Sequence, residues 1–150
     1  MNAVAVTGAF FDRRYVVPGQ AAAPAECAPN EGTSNAPAID AIAGKLVALF
    51  EALCVDELRS FLDEDAETLV ATRIEWVQRA PVAAGAALRL TGWVEAAGER
   101  SATFRVQAHD AHEQVCEGRL RFDVGERAGA ERTLARKRAA TARRQLFWTA

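Results

Sequence analysis

Few residues of this 150-residue chain have both the type and the setting for chemistry, and Glu51 is the foremost. It interrupts LVALFEALCV (46–55) as the only charge between Lys45 and Asp56. At helical spacing it shares a stripe with Asp40, Gly44, Val47 and Val55. A carboxylate among apolar neighbours is costly unless its pKa rises or a donor reaches it. Such an acid can serve as general base, taking a proton from a water that attacks an acyl carbon. Equally, it can be a structural acid bonded to a buried amide or hydroxyl. Gln78 cannot shuttle protons, because an amide does not titrate. It can orient a water or donate to a carbonyl oxygen, or be a plain structural polar residue. Ala43 and Gly44 lie near a helix start, where backbone N–H groups can polarise a carbonyl as an oxyanion hole. For Gly44 the alternative is a close-packing contact. Trp76 and Arg79 flank Gln78 and can line a pocket or anchor a subunit contact; core or interface is the simpler role for Trp76.

The other reactive types fit less well. His109 and His112 fall in a hairpin turn, and two histidines are too few for a His-based metal centre. Cys27, Cys54 and Cys116 are odd in number and widely spaced, so they form neither a disulfide framework nor a CxxC pair. Cys54, on the apolar helix, reads as a small buried hydrophobe. No G-x-G-x-x-G, P-loop or nucleophile elbow occurs. The expectation is a metal-free protein without a cofactor.

The elements that must position Glu51 and Gln78 follow from periodicity. FFDRRYVVP (10–18) reads as a strand ended by Pro18. Residues 19–37 carry three of the five prolines and read as a loop or flap. Asn35 or Asp40 can cap a helix, with Pro37 in its first turn, that runs from Ile39 to Leu62. Its apolar residues recur at Ile42, Leu46, Leu49, Phe50, Leu53, Leu58 and Phe61, so much of it must be wrapped by other structure. DEDAE (63–67) ends it in a solvated turn. Beyond, the period falls to two. TLVATRIEWVQ (68–78) places Val70, Thr72, Ile74 and Trp76 on one face. Residues 86–95 bury Leu88, Leu90 and Val94; SATFRVQA buries Ala102, Phe104, Val106 and Ala108. CEGRLRFDV buries Cys116, Gly118, Leu120, Phe122 and Val124. Short connections predict an antiparallel four-strand meander. One strand, one long helix and that meander make an α+β domain whose sheet curls around the helix.

Charge sets further bounds. Residues 127–144 hold seven basic residues and one acid, against a body of 11 basic and 19 acidic residues, net −8. A basic tail can contact a ligand's phosphates, or dock as a solvated helix on its own acidic body. Nothing aromatic or Gly-rich interleaves the arginines, which disfavours nucleic acid. No apolar run approaches the roughly 20 residues of a membrane span. MNAVAVTGAFFDRR lacks the basic head and apolar core of a secretory signal, so the expectation is a cytoplasmic protein. The domain is expected to occupy 1–126, with 127–150 a basic helix or tail.

The order β–α–β–β–β–β with a buried central helix is the hot-dog pattern. FFDRRYVVP, LVALFEALCVDELRSFL, VQRAPVAAG and GERSATFRVQAHDAHEQVCEG together resemble the fluoroacetyl-CoA thioesterase-like branch of hot-dog thioesterases, over residues 8–125. The resemblance implies an acyl-thioester ligand, carried on CoA or on a carrier, and sites at a homodimer interface, with a dimer of dimers also open. It implies a catalytic threonine near the helix start, a glutamate eight residues later and a histidine before the Ala-Pro turn. The glutamate matches Glu51; Ala43 and Gln78 stand at the other two positions, and GRLRF replaces a His-x-Arg of the last strand. Two functions follow. One is an acyl-thioester hydrolase of secondary or acyl metabolism. The other is a degenerate hot-dog protein that binds a thioester or small molecule without hydrolysis, or catalyses a dehydration or cyclisation in a biosynthetic pathway.

Overall fold

A computed structural model describes residues 6–18 and 39–148; in the second segment, side chains are described for residues 42–141. The expected loop over 19–37, with the cap Asn35 and the first-turn Pro37, lies outside what is described; Asp40 falls within the described backbone of α1, its side chain outside. Among the described residues, five strands and two longer helices follow in the order β1 (Phe10–Val16), α1 (Ile39–Arg59), β2 (Glu67–Gln78), β3 (Ala87–Gly98), β4 (Ser101–His109), β5 (Gln114–Glu126) and α2 (Arg127–Trp148). The strands form one antiparallel sheet ordered β1-β3-β4-β5-β2, with α1 on one face.

That order corrects the four-strand meander. Only β3, β4 and β5 run as consecutive neighbours; β2 pairs with β5, and β1 takes the place beside β3. The β2–β3 connection is long enough to cross the end of the sheet. Along it the N–H groups of Arg79 and Ala80 both donate to Val115 O, at 2.9 and 3.2 Å. Gly85, with φ +79°, then turns the chain so that its N–H reaches Val17 O at 2.9 Å. The connection thus stitches β5 to the end of β1.

The core lies between α1 and the sheet. Leu46, Phe50, Cys54 and Leu58, spaced four apart, are fully buried. Phe50 meets Phe11, whose ring also lies against Phe104, with centroids 6.2 and 6.3 Å apart. Gly92 makes this possible, because a Cβ there would run into the Phe11 ring. The helix is not wrapped all round as expected: Gly44, Lys45, Ala48, Ala52, Asp56 and Arg59 are exposed in this chain. It also stops at Arg59 rather than Leu62. Phe61 and Leu62 bond back to the carbonyls of Leu58 and Arg59 in tight turns, while Phe61 still packs on the core.

In β4 and β5 the alternation holds throughout the predicted inward positions. In β2 it does not. The register slips between Ala71 and Arg73, leaving Thr72 as an extra residue that bonds to Asp123 (2.5 Å). Leu69 and Ala71 therefore share the helix face with Ile74, Trp76 and Gln78, whereas Val70 turns to the other side with Arg73, Glu75 and Val77.

Candidate active site

The helix face of β2 meets the middle of α1 through Trp76 and Phe50. The Trp76 indole packs on Phe50, with ring centroids 5.7 Å apart. Its partner across the ladder is Gly118, where a Cβ would sit 2.9 Å from the indole and 2.7 Å from Glu75 O. Gly118 is thus the cradle that lets Trp76 lie flat on β5. Trp76 Nε1–H donates to Gln78 Oε1 (3.3 Å), and Gln78 Nε2 donates to Ala80 O (2.8 Å). The Gln78 amide is held in one orientation with one N–H uncommitted among the described residues.

Glu51 follows Phe50 in sequence and so projects about 100° further round the helix. It is partly buried, and no described residue hydrogen-bonds to it. Its partial exposure leaves the carboxylate open to water, and the structural-acid role would need an amide or hydroxyl donor, of which the described residues supply none. The site residue nearest in sequence is Cys54, fully buried, whose thiol is pushed up by burial and then by the Glu51 and Glu57 charges. Burial likewise pushes the Cys116 thiol up, to about 12. Neither is a nucleophile near neutral pH.

Ala43 and Gly44 are the fifth and sixth residues of α1, so their amides fall inside the helix's own hydrogen-bond ladder. What they contribute to an acyl oxygen is the field of the helix start rather than free N–H groups. A Cβ on Gly44 would meet none of the described residues within 4 Å, so Gly44 is not a packing contact among them.

Arg79 points elsewhere. Its guanidinium pairs with Glu117, which also receives Gln114 Nε2 (3.3 Å) and lies 3.8 Å from Arg105. Arg79 thereby holds the Glu117 carboxyl below the usual range. This is one unit of a charge net over the outer face of the sheet. Glu95 bridges Arg119 (2.8 Å) and Arg105 (3.6 Å), and Arg89 clasps Asp12 (2.6 Å). Arg105 and Arg119 face each other across β4 and β5, as do Arg73 and Arg121 across β2 and β5. Without the carboxylates such like-charged pairs would repel. His109 and His112 border the hairpin turn, where the Asp110 carboxylate accepts the N–H groups of His112 and Glu113. Among the described residues no cluster of three or more His, Cys, Asp or Glu is placed to hold a metal ion. No described helix is long and apolar enough to cross a membrane.

The model of the fluoroacetyl-CoA-specific thioesterase family (FlK) matches residues 26–123, almost two thirds of the chain. The chain belongs to the FlK family. A search of curated protein sequences returns no significant match. Among solved structures, the fluoroacetyl-CoA thioesterase FlK is 21% identical, with 87% of this chain and 96% of that one covered and a TM-score of 0.66. A hot-dog-like protein from Thermanaerovibrio acidaminovorans is 18% identical over 91% and 97% of the two chains, with a TM-score of 0.68. A thioesterase superfamily member from Thermus thermophilus is 18% identical over 90% and 94%, also with a TM-score of 0.68. These likenesses show the hot-dog fold. The FlK match ends inside β5, so the family does not account for α2.

Sequence reasoning singled out Glu51, Gln78 and Trp76, of which the structure joins Trp76 to Gln78 by a hydrogen bond. It missed the Phe50–Trp76–Gly118 stack that seats Trp76, although a glycine in the middle of a strand was its signal.

Proposed function

We propose that the protein hydrolyses an acyl thioester, carried on CoA or on a carrier, with Glu51 as general base. The observation that carries this reading is the partly exposed Glu51 carboxylate, with no hydrogen-bond partner among the described residues, next in sequence to the Phe50 that packs on Trp76, within a chain of the FlK family. Glu51 takes a proton from water as the oxygen attacks the acyl carbon. The C–S bond then breaks, the proton passes to the departing sulfur, and a carboxylic acid and a free thiol leave. The uncommitted Gln78 N–H is suited to steer the water or the acyl oxygen. A variant of the FlK thioesterase has been solved with fluoroacetate and CoA, which supports a CoA thioester as the ligand class.

The working unit is a homodimer joined along β2, in the cytoplasm, with residues 1–126 as the catalytic body. Val70, Ile74 and Val77 on this edge strand are 50%, 43% and 49% exposed, and among the described residues β2 has no neighbour on its outer side in the sheet. A symmetric pairing there covers them and brings two sites together.

One observation favours a second reading, binding without hydrolysis: Gln78 already makes two hydrogen bonds, and Glu51 is the only titratable side chain among the proposed catalytic residues. A panel of acyl-CoA substrates with free-thiol detection separates the two. Release of thiol from at least one substrate is the expected result. No turnover, combined with protection of the fold against heat by acyl-CoA, would establish the binder instead.

A further inference from the structure

Helix α2 is described with its side chains through Thr141. It springs from β5 at Arg127, and its residues through Thr141 are exposed apart from Gly129. Its root is tied to the start of β2. Arg127 donates from Nε to Glu64 O (2.9 Å) and from a terminal nitrogen to Glu67 O (3.2 Å), and Glu67 pairs with Glu126 in the ladder. Beyond the root, Arg132, Arg136, Lys137 and Arg138 are exposed and pair with no described residue. A helix of 22 residues reaches about 33 Å, at about 1.5 Å per residue.

In a dimer whose two-fold axis passes the middle of β2, strand direction decides where that charge goes. Two copies of β2 joined by a two-fold axis pair antiparallel, so the Glu67 end of one strand meets the Gln78 end of the other. The root of α2 then lies at the partner's Gln78, beside the partner's site rather than its own. An open groove of about 320 Å³, lined by Arg59, Leu62, Glu67, Leu69 and Arg127 among others, flanks the same end of β2.

We propose that α2 serves the partner's site, with Arg132, Arg136, Lys137 and Arg138 binding the phosphates of a CoA thioester whose acyl end sits between the partner's Glu51 and the partner's Gln78. This rests on the reading of the protein as a thioester-binding dimer paired along β2. Guanidinium and ammonium groups match the 3′-phosphate and diphosphate of CoA through charge-assisted hydrogen bonds. Pantetheine, which lacks those phosphates, offers α2 nothing to hold.

The test compares binding of acetyl-CoA and of S-acetyl-pantetheine, by calorimetry at low and high salt. Changing Arg132, Arg136, Lys137 and Arg138 together to Gln is expected to weaken acetyl-CoA roughly tenfold, to flatten its salt dependence, and to leave S-acetyl-pantetheine unchanged. Equal weakening of both probes, or of neither, overturns the proposal. Mixed dimers decide which site α2 serves. One chain carries the neutral α2 and an open site. The other carries the basic α2 and a filled site, Ala43→Trp, first shown as a homodimer to fold and to bind no acetyl-CoA. Gln78→Trp replaces it if Ala43→Trp fails either check. Wild-type affinity in the mixed dimer is the expected result; the weakened affinity would place α2 over its own site and overturn the proposal. A full-length chain that binds neither probe, or light scattering that finds a monomer at micromolar concentration, removes the underlying reading itself, whatever the variants do.

Discussion

The two helices are nearly equal in length, 21 residues in α1 and 22 in α2, yet they are held in opposite ways. α1 buries a stripe of four residues against the sheet and carries Glu51 at the edge of that stripe. Through Thr141, α2 buries almost nothing and carries charge outward. The difference is legible in spacing: α1 repeats apolar residues every three or four positions, and 127–144 repeats Arg, Lys and Ala with a single Leu. A helix fixed by packing can hold one acid in place for chemistry. A helix fixed only at its root is suited to reach a charged ligand.

Substitutions in the two helices sharpen that contrast. Phe50→Ala removes the ring that joins Phe11 to Trp76 and should cost about 3–5 kcal/mol in a urea melt. Removing residues 128–150, with Arg127 kept for its bonds to the β2 root, should change the same melt by no more than about 0.5 kcal/mol. A comparable loss from both would mean that α2 is packed like α1, and the comparison would fail.

Gly118→Ala tests the Phe50–Trp76 packing from the sheet side. The added Cβ meets Glu75 O and the indole together, so Trp76 must shift, at a cost of about 1–3 kcal/mol and with a change in tryptophan fluorescence. An unchanged melt and spectrum would show that Trp76 is not seated on Gly118.

The smallest effect belongs to the outer face. Asp12, Glu95 and Glu117 hold their protons less tightly than usual, chiefly through Arg89, Arg119 and Arg79, and Asp123 through Thr72 and then Arg121. A depressed folded pKa stabilises above the unfolded value and is lost as pH falls through the folded one. The melting temperature should therefore hold as pH falls toward 4 and drop below it, with salt blunting the drop. A melt that rises on acidification would contradict the assignment of these pairs.

How much of this was legible varies by element. In β4 every inward residue was readable because two neighbouring strands hold its pleat. In β2 the face was misread because a bulge is one extra residue, and nothing in TLVATRIEWVQ marks Thr72 as that residue. The strand order was misread because the length of the 79–86 connection fits a neighbour or a crossing equally well. Glu51 stood out as a lone charge in an apolar run. The commitment of Arg79 to Glu117, on the face away from Gln78, depends on a cross-strand contact 38 residues apart, which periodicity cannot show.

The central claim, that Glu51 is the working base, is tested most directly by Glu51→Gln. The change keeps shape and volume while removing the group that accepts the proton. Turnover of the best acyl-CoA substrate should fall by about two to four orders of magnitude. The melting temperature should stay the same or rise, since the carboxylate has no described partner to lose. A melt weakened by several kcal/mol with turnover intact would instead make Glu51 a structural acid, and the site would have to be sought elsewhere.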